Sequence, residues 1–395
     1  MVATLKEGSM NDPNAAASAR DRHLFGPGPK RILALDGGGV RGIVALAFLK
    51  RIEETLEAQA GRSVRLCDYF DLIGGTSTGA IIAVALSLGY NVAELRDFYL
   101  RLAPIVFRPP RVKLPGWKAL FDARALAREL RAVVGDRRLD AADLQTGVGV
   151  LLKRLDTAGA WILTNNPRSK YWETPADHSY IGNRHYRLAQ VVRASAAAPH
   201  YFDPQEIEIA PGEHGVFVDG GLTPHNNPSL ALFLAAVLPG YRLGWQASPE
   251  KLTIVSVGAG TFRDRIDPRA LKKGLSGQQA LRAMIQLIGE NQQLTLTLMS
   301  FFGASPTPCP INSEIGDLSK TSPPRGPLFR FLRYDIKLEE DWLKEELGAS
   351  VGPERIRQMR RLEDAGSMPL LEELARKAAD AQVRPEHWAE RVGAA

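Results

Sequence analysis

Five consecutive residues, Gly75-Thr76-Ser77-Thr78-Gly79, place a hydroxyl among small neighbours between an apolar run and the long apolar stretch Ala80-Ile81-Ile82-Ala83-Val84-Ala85-Leu86. Such a pattern reads as strand, sharp turn and buried helix. The pentapeptide fits G-x-S-x-G, in which small flanking residues let the backbone turn tightly enough to lift a serine hydroxyl above the sheet edge. The helix that follows aims its N-terminal amides and positive dipole end at the same point, favouring the negative charge that develops in acyl transfer. Ser77 is therefore the candidate nucleophile. A glycine-rich connection without chemistry would read the same way over five residues, so the assignment depends on what else the chain carries.

A second glycine cluster, Asp36-Gly37-Gly38-Gly39-Val40-Arg41-Gly42, follows the apolar run Arg31 to Leu35 and opens a helix with Ile43, Leu46, Leu49, Ile52 and Leu56 at helical spacing. Gly37, Gly39 and Gly42 satisfy G-x-G-x-x-G, the layout of a dinucleotide-binding turn, and a nucleotide-binding oxidoreductase is one reading. That reading needs an acidic residue at the end of a second strand, whereas Glu53, Glu54 and Glu57 fall inside the first helix's own pattern. The other use of successive glycines is an oxyanion hole, with backbone N–H groups already in place for a tetrahedral intermediate. Arg41 would add positive charge at its rim or stand as an ordinary surface arginine at a helix start.

Asp219 ends the short apolar strand Val216-Phe217-Val218 and precedes Gly220 and Gly221, so its carboxylate is expected at the sheet edge with little bulk around it. It is the candidate general base, or merely a turn cap. A triad would place a histidine after the acid, and His225 and His387 are the candidates; neither is in convincing company. With no histidine, Asp219 would take the serine proton directly. A free aspartate, with a pKa of roughly 3.9, is a weak base for a hydroxyl, so such a dyad requires desolvation and leans on its oxyanion hole.

These groups need an α/β scaffold to position them. Strands are expected at 31–36, 71–77, 148–155, 161–164, 216–218 and 252–257, with helices at about 77–88, 92–102, 122–133 and 186–194. From about 275 the pattern turns helical, with a strand-like interruption at Phe329 to Leu338 and a charged helical tail. Residues 1–29 have no period and read as a mobile leader.

At 395 residues and 45% hydrophobic composition the chain supports a substantial core. Fifty basic residues against 44 acidic ones leave a charge of only +6, compatible with an anionic membrane surface and too small to imply a nucleic acid polymer as partner. The two cysteines, Cys67 and Cys309, exclude a disulfide framework, and neither a metal nor any other cofactor is expected. The N-terminus lacks the order of a secretory signal, and no apolar run approaches the ~20 residues of a membrane span. A cytoplasmic protein with peripheral membrane contact is the expectation. Phe107 to Lys118, mixing Arg108, Arg111, Lys113 and Lys118 with Phe107, Leu114 and Trp117, is a candidate contact, or an ordinary loop.

Taken together and in order, Asp36 to Gly42, Gly75 to Gly79, Ala194-Ser195-Ala196-Ala197-Ala198-Pro199 with Tyr201-Phe202, and Asp219-Gly220-Gly221 resemble the patatin-like phospholipase family. The resemblance implies a three-layer α/β/α fold with a mostly parallel central sheet and hydrolysis of phospholipid or other acyl-lipid esters through a Ser-Asp dyad and an acyl-enzyme. On matching positions it implies Ser77 as nucleophile and Asp219 as general base. It also implies Gly37, Gly38, Gly39 and Arg41 as the oxyanion region, with Gly75, Gly79, Gly220 and Gly221 supporting the turns. The catalytic domain is expected over 30–270, and a mainly helical C-terminal extension packed on the same core over 271–395. The amphipathic stretch Leu281, Met284, Ile285, Ile288, Leu294, Leu296, Leu298, Met299, Phe301 and Phe302 is expected to act as a lid, as the interface of a homo-oligomer, or as packing behind the sheet. Some bacterial members of the family are switched on by cyclic nucleotides, which makes a cyclic nucleotide activator a further expectation. A catalytically silent membrane-binding protein is the third class left open.

Overall fold

A computed structural model describes residues 17–107, 119–263 and 276–388. The chain begins with α1 (Ala19–Phe25), β1 (Lys30–Leu35), α2 (Gly42–Ala60), α3 (Leu66–Tyr69), β2 (Leu72–Thr76), α4 (Thr78–Ser87), α5 (Val92–Val106) and α6 (Ala123–Val134). It continues through β3 (Gly147–Arg154), β4 (Gly159–Thr164), α7 (Leu188–Ser195), β5 (Gln205–Ala210), β6 (Glu213–Asp219), α8 (Ser229–Val237) and β7 (Leu252–Val257). The last part holds α9 (Ser276–Phe302), β8 (Gly303–Ala304), β9 (Phe329–Tyr334), α10 (Glu340–Leu347), α11 (Pro353–Met359) and α12 (Met368–Gln382).

The nine strands among the described residues join one sheet in the order β5-β6-β3-β2-β1-β7-β9-β8, with β4 also paired to β3. Its centre is parallel, from β3 through β2, β1 and β7 to β9, and the β4, β5 and β6 pairings are antiparallel. Strand alternation divides the interior into two cores. Leu33, Leu35, Val255, Val257, Leu332 and Tyr334 face a core shared with α2, α4, α5, α7 and α12. Ile32, Ala34, Leu252, Ile254, Phe329 and Phe331 face the opposite one, shared with α1, α8 and the end of α9. Central strands apolar on both faces are what a parallel sheet with helices on each side requires. The layers are α/β/α.

One expectation changes here. The chain is ordered well before Arg31: Ser18 caps α1 by accepting from the Asp21 N–H, and Leu24 is buried in the second core. Residues 17–29 are therefore not a mobile leader, and residues 1–16 lie outside the described residues. In the C-terminal part, the strand-like stretch from Phe329 forms β9, which joins the sheet beside β7, while α12 packs on α2. Strand β5 went unread although Gln205-Glu206-Ile207-Glu208-Ile209 alternates as a half-buried strand should, with Ile207 and Ile209 buried. The loop singled out for membrane contact, apart from Phe107, lies outside the described residues.

Candidate active site

Two strands stop nose to nose on one edge of β3. Thr76, the end of β2, is paired with Leu151, and Asp219, the end of β6, with Leu152. Because β2 runs parallel and β6 antiparallel to β3, they arrive from opposite directions and deliver Ser77 and Asp219 to the same place. The Ser77 hydroxyl donates to Asp219 Oδ2 across 2.6 Å.

The segment Ala194 to Ala198 braces this junction. Ser195 Oγ accepts the Ser77 N–H at 2.9 Å and donates to the Leu151 carbonyl at 2.5 Å, while the Ala197 carbonyl accepts the Asp219 N–H at 3.0 Å. Ser77 itself sits at φ 54°, ψ −121°, a conformation costly for a residue with a side chain and one that persists only where the surroundings enforce it. The flanking glycines are there for space. A Cβ on Gly75 would lie 2.1 Å from the Gly79 carbonyl, and one on Gly79 would lie 2.2 Å from the Leu35 carbonyl oxygen.

Asp219 is buried, and burial pushes its carboxyl up to about 6 against the hydrogen bonds from Ser77 and the Gly221 N–H. The Gly221 N–H holds Oδ1 at 2.7 Å, which leaves Oδ2 to the serine. Neither candidate histidine touches the pair. His225 gives its backbone carbonyl to the Thr76 hydroxyl at 2.6 Å, its buried ring Nδ1 has no partner among the described residues, and burial lowers its pKa. The ring of His387 is hydrogen-bonded to the Tyr334 hydroxyl at 2.8 Å.

The glycine turn lies against Ser77, since a Cβ on Gly37 would come within 3.2 Å of Ser77 Cβ. Its three glycines are not equivalent. The Gly37 N–H already donates to the Asn226 carbonyl at 3.1 Å, whereas among the described residues no acceptor meets the N–H of Gly38 or Gly39. Hydroxyls of Thr78 and Tyr99 both donate to the Gly39 carbonyl, and the Val40 N–H donates to the Leu362 carbonyl at 2.8 Å. Arg41 lines the same cavity as Ser77. It is buried, donates from Nη1 to the Gly260 carbonyl at 2.8 Å and lies over the Phe262 ring, and burial brings its pKa down to about 10. It ties the turn to the loop after β7.

Ser77, Asp219 and the glycine turn open into a cavity of about 1730 Å³. One wall is apolar, with Ile81, Leu102, Val106, Phe107, Leu126 and Phe202; the other carries α9 and polar groups that include Gln292, Arg333 and Asp335. Beneath the turn, Arg333 of β9 donates from Nη2 to both Asp36 and Asp335 at 2.7 Å and from Nη1 to Ser256 Oγ at 2.8 Å. Burial raises Asp36 to about 6 despite the pull of Arg333.

A sequence model of the patatin-like phospholipase family matches residues 33–233. The chain belongs to the patatin-like phospholipase family. The match spans both glycine clusters, Ser77 and Asp219, and α/β/α layering with Glu53, Glu54 and Glu57 inside α2 takes the place of the nucleotide-binding oxidoreductase reading. Among relatives of this patatin-like chain is a cGAMP-activated phospholipase of Vibrio cholerae, 29% identical over 287 residues, covering 67% of this chain and 75% of that one. A cUMP-AMP-activated phospholipase of Escherichia coli is 29% identical over 232 residues, covering 59% and 65%. Calcium-independent phospholipase A2-gamma of Rattus norvegicus is 32% identical over 248 residues, and the match spans 60% of this chain but only 29% of that protein. Of solved structures, human GIVD cytosolic phospholipase A2 aligns at a TM-score of 0.45 and 12% identity, over 93% of this chain and 61% of that one.

Ser195, Asn226, Gln292 and Arg333 are the site residues to which sequence reasoning gave no role. Ser195 stood inside a recognised motif, and only its contact with the Ser77 amide gives it a task. Asn226 had a signal in the Asn-Asn-Pro turn after Asp219. Gln292 and Arg333 had none.

Proposed function

We propose that the protein hydrolyses carboxylic esters of phospholipids or other acyl lipids, with Ser77 as nucleophile and Asp219 as general base. The observation that carries this reading is the 2.6 Å hydrogen bond from Ser77 Oγ to a buried carboxylate at the floor of a large, half-apolar cavity. Burial supplies what a histidine otherwise would: a carboxyl titrating near 6 is ionised at neutral pH and basic enough to assist a hydroxyl. Asp219 takes the Ser77 proton as the serine oxygen bonds to the ester carbonyl carbon. The carbonyl oxygen becomes an oxyanion in reach of the Gly38 and Gly39 N–H groups, with the α4 N-terminus beside it. As the intermediate collapses, the alcohol leaves with the proton from Asp219, and the acyl group stays on Ser77. Water then attacks, giving its proton to Asp219, and collapse releases the fatty acid while that proton returns to Ser77. The apolar wall from Ile81 to Phe202 suits an acyl chain, and the polar wall a head group. Binding such a substrate calls for peripheral contact with a membrane; no helix among the described residues is long and apolar enough to cross one.

The catalytic unit is proposed as 30–270 with the 271–395 extension an integral part of it, because Leu362 closes the glycine turn and Arg333 anchors Asp36. Mass-spectrometric profiling of lipids released from phospholipid vesicles by the pure protein tests the reading. Free fatty acids and lysolipids are expected with wild type and not with Ser77→Ala; release by both, or by neither, would overturn it.

A second reading concerns control. Relatives named cGAMP- and cUMP-AMP-activated phospholipases cover well over half of this chain, which favours activation by a cyclic dinucleotide. Vesicle hydrolysis should then rise on adding cGAMP or cUMP-AMP, and full activity without either would remove it.

A further inference from the structure

Helix α9 reaches the glycine turn through the side chain of Gln292. Gln292 donates from Nε2 to Asp36 Oδ2 at 2.9 Å, and its Oε1 accepts from Asn226 Nδ2 at 3.3 Å. Both partners belong to the oxyanion machinery. Asp36 is the residue before Gly37; among the described residues its carboxylate is otherwise held only by Arg333, and its Oδ1 has no partner. Asn226 accepts the Gly37 N–H on its carbonyl, and its Nδ2 faces the Gly37 carbonyl at 3.4 Å. Its Oδ1 occupies the space that a Cβ on Gly37 or Gly221 would need, at 2.5 and 2.9 Å. Asn226 is thus wedged between the turn that carries the oxyanion donors and the turn that holds Asp219. A primary amide is the group that donates to a carboxylate and accepts from an amide at once; a carboxylate in its place could not do the first, nor an amine the second.

We propose that Gln292 is a positioning residue for ester hydrolysis, seating the oxyanion turn against Ser77 and making turnover depend on where α9 lies. This rests on the dyad reading above. The neighbouring α9 residues Met284, Ile285, Ile288 and Leu296 line the same cavity, so whatever fills it pushes on the helix that carries the link. Loss of Gln292 leaves Ser77 and Asp219 in contact and loosens only the donors that act in the transition state, which lowers kcat and spares KM.

The test is steady-state hydrolysis of 4-nitrophenyl butyrate by wild type, Gln292→Leu, Gln292→Glu and Leu294→Gln, with the thermal midpoint measured on each. Gln292→Leu is expected to lower kcat at least about tenfold with KM within about twofold, and Leu294→Gln, on the exposed face, to behave as wild type. Gln292→Glu provides the readout that loss of packing would not move. The charged group this position contacts is Asp36, and the charges acting on Asp36 are Arg333, Asp335 and Arg41. When protonated, the carboxyl introduced by Gln292→Glu can still donate to Asp36; when ionised, it repels it. The kcat of this variant relative to wild type at the same pH should therefore fall severalfold between pH 6 and pH 8.5, the ratio removing the titration of Asp219. An unchanged kcat in Gln292→Leu, a loss lying in KM, or a ratio flat with pH would each overturn the proposal. If wild type itself neither hydrolyses the ester nor labels with a fluorophosphonate at Ser77, the dyad reading fails and takes this one with it; labelling at Ser77 beside an indifferent Gln292→Leu removes this one alone.

Discussion

Around Ser77 the cavity wall is backbone, and across from it, along α9, the wall is side chains. On the first side a Cβ added to Gly75, Gly79 or Gly220 would meet a backbone atom at 2.1 to 2.2 Å, and strand ends on β3 fix both Ser77 and Asp219. On the second, a Cβ on Gly289 would meet nothing within 4 Å among the described residues, Leu287 and Leu294 are each 55% exposed, and the hydrogen bonds to the catalytic turns come from side chains, Gln292 to Asp36 and Thr295 to the Pro224 carbonyl. The first arrangement tolerates no displacement because chemistry at a serine needs its donors and base within fractions of an ångström. The second can shift at small cost, which suits a surface that must admit lipids of different shape.

The largest effect should come from the rigid side. Ser77→Ala and Asp219→Asn are each expected to lower ester turnover by about a thousandfold or more, and the double variant no further, since nucleophile and base act as one unit. Additive losses in a kinetic comparison of the three would separate the two residues and break the comparison at its strongest point. Next, Gly79→Ala should destabilise the fold by about 3 kcal/mol or more, because its Cβ would press on the Leu35 carbonyl inside the sheet. Chemical denaturation reads this directly, and a soluble protein of ordinary stability would show the elbow to be more pliant than described.

The pH dependence probes the same side more finely. Ester hydrolysis should rise as pH passes through about 6 and then level off, since Asp219 must be ionised to accept the proton. For stability the sign is opposite. A carboxyl whose folded pKa lies above its unfolded value near 3.8 contributes stability at low pH and loses it as pH rises through about 6. Asp219→Asn has no such loss, so its unfolding free energy should gain on that of wild type between pH 4 and pH 7, by up to about 3 kcal/mol. A gap independent of pH would mean that Asp219 is not held in a desolvating site. The smallest effect belongs to Gly289 on α9: Gly289→Ala should stabilise the protein by about 0.5–1 kcal/mol, as expected for an open helical position. Destabilisation in a melting experiment would mean that this wall is as tightly built as the other.

What could be read from the sequence follows the same division. The nucleophile elbow, the glycine turn and the Asp219 strand end were legible because backbone geometry demands small residues at fixed spacing, and such demands leave motifs. Alternating and continuous apolar runs gave the parallel core and all but one of its longer strands. The place of Arg41 stayed open because a guanidinium at a helix start looks the same whether it faces solvent or, as here, the Gly260 carbonyl. That Gly37 already gives its N–H to Asn226 could not be seen either, since the acceptor lies far along the chain. Arg333 and Gln292 serve Asp36 from β9 and α9, brought there by tertiary packing, and no local pattern in Phe329 to Tyr334 or in α9 announces it.

Activation of Ser77 by a buried carboxylate, without a histidine, is the proposal on which the rest depends. Intact-protein mass spectrometry after timed exposure to a fluorophosphonate tests it most directly, on wild type, Ser77→Ala, Asp219→Asn, His225→Ala and His387→Ala. One adduct on the Ser77 peptide is expected in wild type and in both histidine variants at similar rates, none in Ser77→Ala, and labelling slowed by about a hundredfold or more in Asp219→Asn. Labelling that survives in Ser77→Ala, proceeds at the wild-type rate in Asp219→Asn, or disappears with either histidine would contradict it.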